Sequence, residues 1–399
     1  KLASEAVEIQ EEIINLRRGF HENPELSFEV RETGRTCASY CQSLGLAVKR
    51  CCAELPGKDK YGVIATIRPD LEGKSIALRA EMDALPIQEQ TELSFCSRKQ
   101  NIAHLCGHDA HCAMLLGAAR ILSNHKDAFK RPVQLIFQPS EETLSGAKKV
   151  VDEGFLANVG EIYGLHVHPR LKIGKLGWRS DALMASPDEL SIIITGKGGH
   201  AAMPHLCVDP IPIAAEIILS LQTLISRKTD PLDSAVISIC MLKASDAVNV
   251  IPEKAELQGT IRSFSATVRD FLHREITNMA GFIAKAHGAV AKVDIIKGSP
   301  VLTNDSERAK ELSEIFNALC DTKVFKSLNG GAIQMAPIMG SEDFSYYLEQ
   351  VKGAFAFLGA GDGREDAPGF HSSSFMLDER ALPLGSALLA AVALTRASC

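Results

Sequence analysis

Between residues 4 and 18 apolar side chains recur at helical spacing (Ala6, Ile9, Ile13, Ile14, Leu16), and Arg17-Arg18 suits a helix C-terminus. Residues 74–80 (KSIALRA) and 132–138 (PVQLIFQ) are short apolar runs that predict strands, the second mostly buried. Between them, residues 109–124 predict a helix with small and apolar side chains on one face. Two more strands are expected at 161–167 and 173–178. Alternation of this kind indicates an α/β domain.

After Trp178 the order changes. Residues 188–197 predict a strand, 211–227 an apolar-faced helix, 234–243 and 254–263 two strands, 268–287 a helix and 290–297 a last strand. That β-α-β-β-α-β order is the ferredoxin-like unit. Helices at 306–319 and 341–349, a strand at 354–358 and a helix from Glu379 then resume the first pattern. The expected fold class is therefore α/β, with residues 1–181 and 299–399 forming one domain and 182–298 an inserted α+β domain. A chain of 399 residues is long enough for this, since single cores stop growing near ~250–300 residues.

Composition narrows the function classes. Apolar residues at 46% and charged residues at 23% are ordinary globular values, which excludes broad disorder. The net charge of −6, with no Lys/Arg block, argues against a nucleic-acid partner, because phosphate neutralisation needs a concentrated basic surface. The longest apolar runs, such as 387–394, fall short of the ~20 residues that span a bilayer, so no membrane partner is expected. The 11 cysteines are odd in number and scattered, which favours reduced thiols and a cytoplasmic setting. The chain opens on Lys1, which leaves room for a removed or omitted leading segment.

Candidate chemistry concentrates in four places. His104-Leu105-Cys106-Gly107-His108-Asp109-Ala110-His111 gathers imidazoles and a thiol, the donors that a borderline metal prefers. Spacing alone leaves open which of the three histidines ligates. Gln138-Pro139-Ser140-Glu141-Glu142 follows a buried strand, so its adjacent carboxylates can take different partners, one on a metal and one as a base. Leu165-His166-Val167-His168 closes an apolar strand and places both histidines on one face. His371 lies in a loop rich in Gly and Ser. Each is weak alone, but open sheets collect their sites at the carboxyl ends of strands.

On these residues the chain resembles the M20 metallopeptidase family, in its amidohydrolase branch of hippurate hydrolases, N-acyl-L-amino-acid amidohydrolases and plant indoleacetyl-amino-acid hydrolases. The resemblance runs in order through RRGFHENPELSFEVRETG (17–34), LRAEMDALPI (78–87), HLCGHDAH (104–111), QPSEETLSGAKKVVDEG (138–154), YGLHVHP (163–169), TGKGGHAAMPH (195–205), AVNVIPEKAELQGTIRSF (247–264), MGSEDFSYY (339–347) and FHSSSF (370–375). It implies a mixed-sheet metallohydrolase domain and an inserted lid or dimerisation domain, hence a homodimer through the insert.

The same resemblance implies two divalent metal ions held by Cys106, His108, Glu142, His166 and His371, with Zn or Mn the first choices and Co or Ni also suited. It assigns Glu141 as general base, Asp83 to fixing a ligand's orientation, His200 to the reacting carbonyl, and Asn249 and Arg262 to a substrate carboxylate. The chain departs from the branch at Glu81, where Asp is common. Glu342 and Asp343 are expected as helix-start residues favoured by the dipole. The implied reaction is metal-dependent hydrolysis of the amide of an N-acyl amino acid. Three other readings stand beside it: a metallocarboxypeptidase or dipeptidase of the same family, a cysteine hydrolase using Cys106, His108 and Asp109, and a metal-binding interaction module without turnover.

Overall fold

The computed structural model describes residues 1–55 and 57–398. They form two compact units, one comprising 1–183, 303–336 and 342–399, the other 184–302 and 337–341. The second unit thus takes in a short stretch, 337–341, that chain order alone would leave with the C-terminal segment.

The first unit is built on an eight-stranded mixed sheet. Its strand order is Ala47–Cys51, Gly62–Ile67, Val133–Gln138, Ser75–Glu81, Val159–Lys172, Lys352–Gly361, Lys175–Trp178 and Gly331–Gln334. The four inner strands from Val133–Gln138 to Lys352–Gly361 run parallel to one another, and the outer two of them each pair antiparallel with the next strand. Every residue of Ser75–Glu81 and of Val133–Gln138 is buried, which accounts for apolar runs that do not alternate. Helices His108–Asn124 and Ala381–Ala397 pack on each other and are buried on nearly all sides. Their Ala- and Leu-rich sequences, apolar all round, suit that position.

The second unit contains a four-stranded antiparallel sheet in the order Ala235–Lys243, Lys254–Ser263, Ser186–Thr195, Val290–Lys297, the ferredoxin-like arrangement. Helices Pro210–Thr223 and Ala266–Ala286 share its core, through Ile213, Ile217, Leu272 and Ile276 against Leu190, Ile192 and Leu257. Asp209 and Ser265 cap them, each side chain accepting a backbone N–H of the first turn. No helix of the described residues is long and apolar enough to cross a membrane.

Several elements differ from expectation. The first helix is two, Leu2–Glu8 and Gln10–Glu22, and it passes Arg17-Arg18 without ending. Those arginines serve tertiary ion pairs instead: Arg17 reaches Asp109 and Glu379, and Arg18 reaches Glu379. The strand carrying His166 runs on to Lys172, because Lys352–Gly361 continues beside it. The helix expected at 341–349 shrinks to Ser345–Leu348. Helix Arg31–Ser43 was not expected at all; its buried positions Thr33, Gly34, Cys37, Ala38 and Cys41 carry little hydrophobic signal.

Candidate metal centre

The parallel strands Ser75–Glu81 and Val133–Gln138 end in register, Glu81 opposite Gln138, and the segments that leave them carry Asp83 and the pair Glu141-Glu142. His108 begins the buried helix His108–Asn124, directly after Gly107. Gly107 has φ +97, and a Cβ there would lie 2.3 Å from Val167 Cγ2, so only glycine lets the helix start this close to the His166 strand. His371 (φ +63) donates its backbone N–H to Leu105 O at 2.9 Å, which brings the C-terminal loop beside Cys106.

Three groups of potential ligand atoms, each within 4.8 Å of one another, overlap here: Cys106, His108 and His166; Cys106, Glu142 and His371; His108, Glu141 and Glu142. The Cys106 sulfur belongs to two of them. It lies 3.5 Å from His166 Nε2, while His371 Nε2 is 3.4 Å from Glu142 and His108 Nε2 is 3.9 Å from Glu142. All five residues that the family resemblance nominates as ligands therefore converge.

The three histidines of the first cluster are told apart by their hydrogen bonds. His108 gives its Nδ1–H to the Asp83 carbonyl at 2.8 Å, leaving Nε2 as the nitrogen available to a ligand. That Nε2 is buried and has no hydrogen-bond partner, as is Glu142 Oε1. His111 has both nitrogens engaged, Nδ1 with Glu81 at 2.8 Å and Nε2 accepting the Val167 N–H at 2.9 Å. His104 is buried away from this group, near His21. His166 gives Nδ1–H to the Val167 carbonyl at 2.7 Å and turns Nε2 towards Cys106. Phe355, Phe357 and Phe370 surround its ring.

Electrostatics fit a cationic occupant. Burial pushes Glu141 well above the usual carboxylate range, and the neighbouring charges of Glu342, Asp343 and Glu142 add to it. Burial, then Glu142 and Glu141, likewise raises the Cys106 thiol. Burial pulls His108 down, yet the Asp83 bond and the charges of Glu81 and Glu142 carry it up to about 10. Buried, closely spaced carboxylates with orphaned nitrogen and oxygen atoms between them are what divalent cations would satisfy. Sulfur, imidazole and carboxylate donors suit borderline transition metals.

Asp83 supports two ligand-bearing elements at once. Besides its carbonyl bond to His108, its carboxylate accepts the backbone N–H of Glu141 at 3.0 Å and of Glu142 at 3.1 Å, one on each oxygen. Glu342 and Asp343, expected at a helix start, are instead buried beneath the site and bound to Arg79 at 2.9 and 2.7 Å. The one sequence signal for this was Arg79 itself, a cation among the apolar residues of IALRA.

The other nominated residues lie in the second unit. His200, exposed, pairs with Val250 in a two-stranded ribbon, and its Nδ1 accepts the Ala202 N–H at 3.1 Å. Asn249, also exposed, gives its carbonyl to the Ala201 N–H at 3.1 Å. Arg262, half-buried on Lys254–Ser263, reaches Ser341 Oγ at 3.4 Å.

Comparison with known proteins agrees with this geometry. Residues 77–395 match the profile of Peptidase family M20/M25/M40. The chain is 38% identical over 390 residues to the IAA-amino acid hydrolase ILR1-like 2 of Arabidopsis thaliana, covering 97% of this chain and 85% of that one. It is 38% identical over 381 residues to the N-acetylcysteine deacetylase of Bacillus subtilis (strain 168), covering 96% of each. Among solved structures it superposes on the Bacillus subtilis YXEP protein, described as a dinuclear metal binding peptidase from the M20 family. The TM-score is 0.83 at 34% identity, over 97% of this chain and 98% of that one. With family profile, relatives and a dinuclear ligand set in agreement, the chain belongs to peptidase family M20/M25/M40, as a metal-dependent hydrolase of amide bonds.

Proposed function

We propose that the protein hydrolyses the amide of small N-acyl amino acids, with Glu141 as general base beside a dinuclear centre. The observation that carries this reading is the splayed pair Glu141-Glu142: Asp83 pins both backbone N–H groups, and only Glu142 shares a ligand group with Cys106 and His371. The relatives named as an amino-acid conjugate hydrolase and an N-acetylcysteine deacetylase support the substrate class.

Cys106, His108, Glu142, His166 and His371 would hold two divalent ions, Zn or Mn before Co or Ni. Ions bound there would supply Lewis acidity, lowering the pKa of a water toward about 7 and polarising the amide carbonyl. Glu141, beside the ligand set but outside the Cys106, Glu142 and His371 group, is placed to take a proton from the attacking water. The same carboxyl then returns the proton to the departing amine. His200, with Nδ1 occupied as an acceptor, carries its proton on Nε2 and can donate to the carbonyl oxygen as negative charge develops. Arg262 offers a planar fork to the substrate carboxylate, and Asn249 an amide.

The second unit acts in this reading as lid and as homodimer contact. Its exposed Met203, Leu206, Leu242, Val248 and Val250 supply apolar surface of the kind that self-association covers.

The test is amine release from N-acetyl, N-benzoyl and N-indoleacetyl amino acids and from dipeptides, using Zn- or Mn-loaded protein beside a chelated control. Metal-dependent release from an N-acyl class is the expected result. Release from dipeptides alone would make the protein a peptidase, and bound metal without any release would overturn the reading.

A further inference from the structure

The ligand-bearing segments come from distant parts of the chain, and one buried side chain touches the supports of both. Arg79 is 1% exposed. It donates from Nε to Gln138 Oε1 at 2.9 Å and from Nη2 to Glu342 Oε1 at 2.9 Å and Asp343 Oδ1 at 2.7 Å, while Nη1 donates to Glu81. We infer that Arg79 is a positioning residue that locks the His166 strand and the Glu141-Glu142 loop to one another, an inference that rests on the dinuclear reading of the site.

Two arms leave the guanidinium. In the first, Glu81 uses its other oxygen to accept His111 Nδ1–H at 2.8 Å, and His111 Nε2 accepts the Val167 N–H at 2.9 Å. The Val167 carbonyl in turn holds the His166 ring at 2.7 Å, so this arm ends on the orientation of a ligand. In the second, Gln138 Nε2 donates to Asp343 at 2.8 Å, and Asp343 Oδ2 accepts the Ala147 N–H at 2.8 Å. Gln138 and Ala147 bracket the loop that bears Glu141 and Glu142. Its ends nearly touch, since a Cβ on Gly146 would lie 1.7 Å from Pro139 O. Tyr347 completes the clasp by donating to Gln138 Oε1 at 2.8 Å.

Arginine alone suits this place. Its planar fork directs several N–H donors along fixed lines, whereas a lysine would supply a compact charge without those directions. Glu81 is reached by both Arg79 and His111. If Arg79 merely neutralised buried carboxylates, any cation would serve and no arm would be separable.

The experiment uses the full chain with zinc alone as probe, reading zinc affinity by chelator competition and amide exchange by mass spectrometry. Arg79→Lys is expected to weaken zinc binding 10–100-fold, the range for partners that orient ligands. It is also expected to speed exchange at both Val167 and Ala147, and to lower kcat far more than it changes KM. Because a lysine cannot reach all of these carboxylates at once, Asp343→Asn and Glu81→Gln test the arms separately. The first is expected to speed exchange at Ala147 but not Val167, the second at Val167 but not Ala147. Wild-type zinc affinity and protection in these variants, or a uniform rise in exchange across the unit, overturns the inference. Zinc affinity and amide exchange use no substrate, so a wild-type protein that binds zinc and cleaves no amide would refute the functional reading alone.

Discussion

The Asp83 backbone carbonyl accepts Nδ1–H of His108 at 2.8 Å, and this single bond sets the imidazole's tautomer. With one proton fixed on Nδ1, Nε2 is the nitrogen turned to the carboxylates Glu141 and Glu142 at 3.8 and 3.9 Å, where a cation can replace its proton. A backbone carbonyl cannot be removed by substitution at Asp83, whereas its carboxylate can.

Replacing Asp83 with Asn separates the two roles. The His108 bond is retained, but an amide nitrogen now faces one of the N–H groups of Glu141 or Glu142, where an oxygen accepted before. Zinc affinity and kcat are both expected to fall 10–100-fold. Chelator competition on the purified variant checks this; unchanged affinity would mean that the loop keeps its shape without the carboxylate.

Glu141→Gln is expected to lower kcat by roughly 10²–10⁴ while leaving metal stoichiometry as in the wild type, because it removes proton transfer and no assigned ligand. Metal analysis beside single-turnover rates decides the matter. Retained turnover would reassign the base.

Gly107→Ala places a methyl group 2.3 Å from Val167 Cγ2 in a backbone conformation that L-residues avoid. Overpacking of this kind costs roughly 1–3 kcal/mol, read as a lower unfolding midpoint. Adding Val167→Ala removes the contacting carbon and should recover part of the loss, leaving the cost of the positive φ.

A pH dependence is expected from His21, buried between Asp109 (2.8 Å) and Glu89 (3.1 Å). Burial alone would lower its pKa, but the bonds to both carboxylates raise it from 6.5 to about 9. Since the folded value is the higher one, the stabilisation is complete below about 6.5 and is lost as pH rises through about 9. Burial opposes the ionised form of Glu89 as well, yet His21, the Ser97 N–H and the Thr91 hydroxyl lower it from 4.5 to about 2. Its contribution is therefore present above about 4.5 and fades as pH falls through about 2. His21→Gln should cost roughly 3 kcal/mol at pH 6 and progressively less as pH rises from about 6.5 to about 9. Urea midpoints of chelated wild type and variant across that range test it; a constant difference would refute the charged pair.

Much of this protein could be read from residues alone. Apolar periodicity marked the buried strands Ser75–Glu81 and Val133–Gln138 and the inserted β-α-β-β-α-β order, because side-chain spacing reports burial locally. The clusters around Cys106, Glu141, His166 and His371 were legible as well, since metal donors rarely gather in loops by chance and strand ends are where sites form. The choice among His104, His108 and His111 was not, because it depends on hydrogen bonds to Asp83, Glu81 and Val167, all more than twenty residues away. Glu342 and Asp343 carried no local sign of their burial against Arg79, a partner more than 260 residues distant. Arg17-Arg18 misled for the same reason, since their carboxylates Asp109 and Glu379 are brought to them only by the fold. Local chemistry is written in neighbouring residues, whereas the partner of a buried charge is decided when distant segments pack and leave it no water to bind.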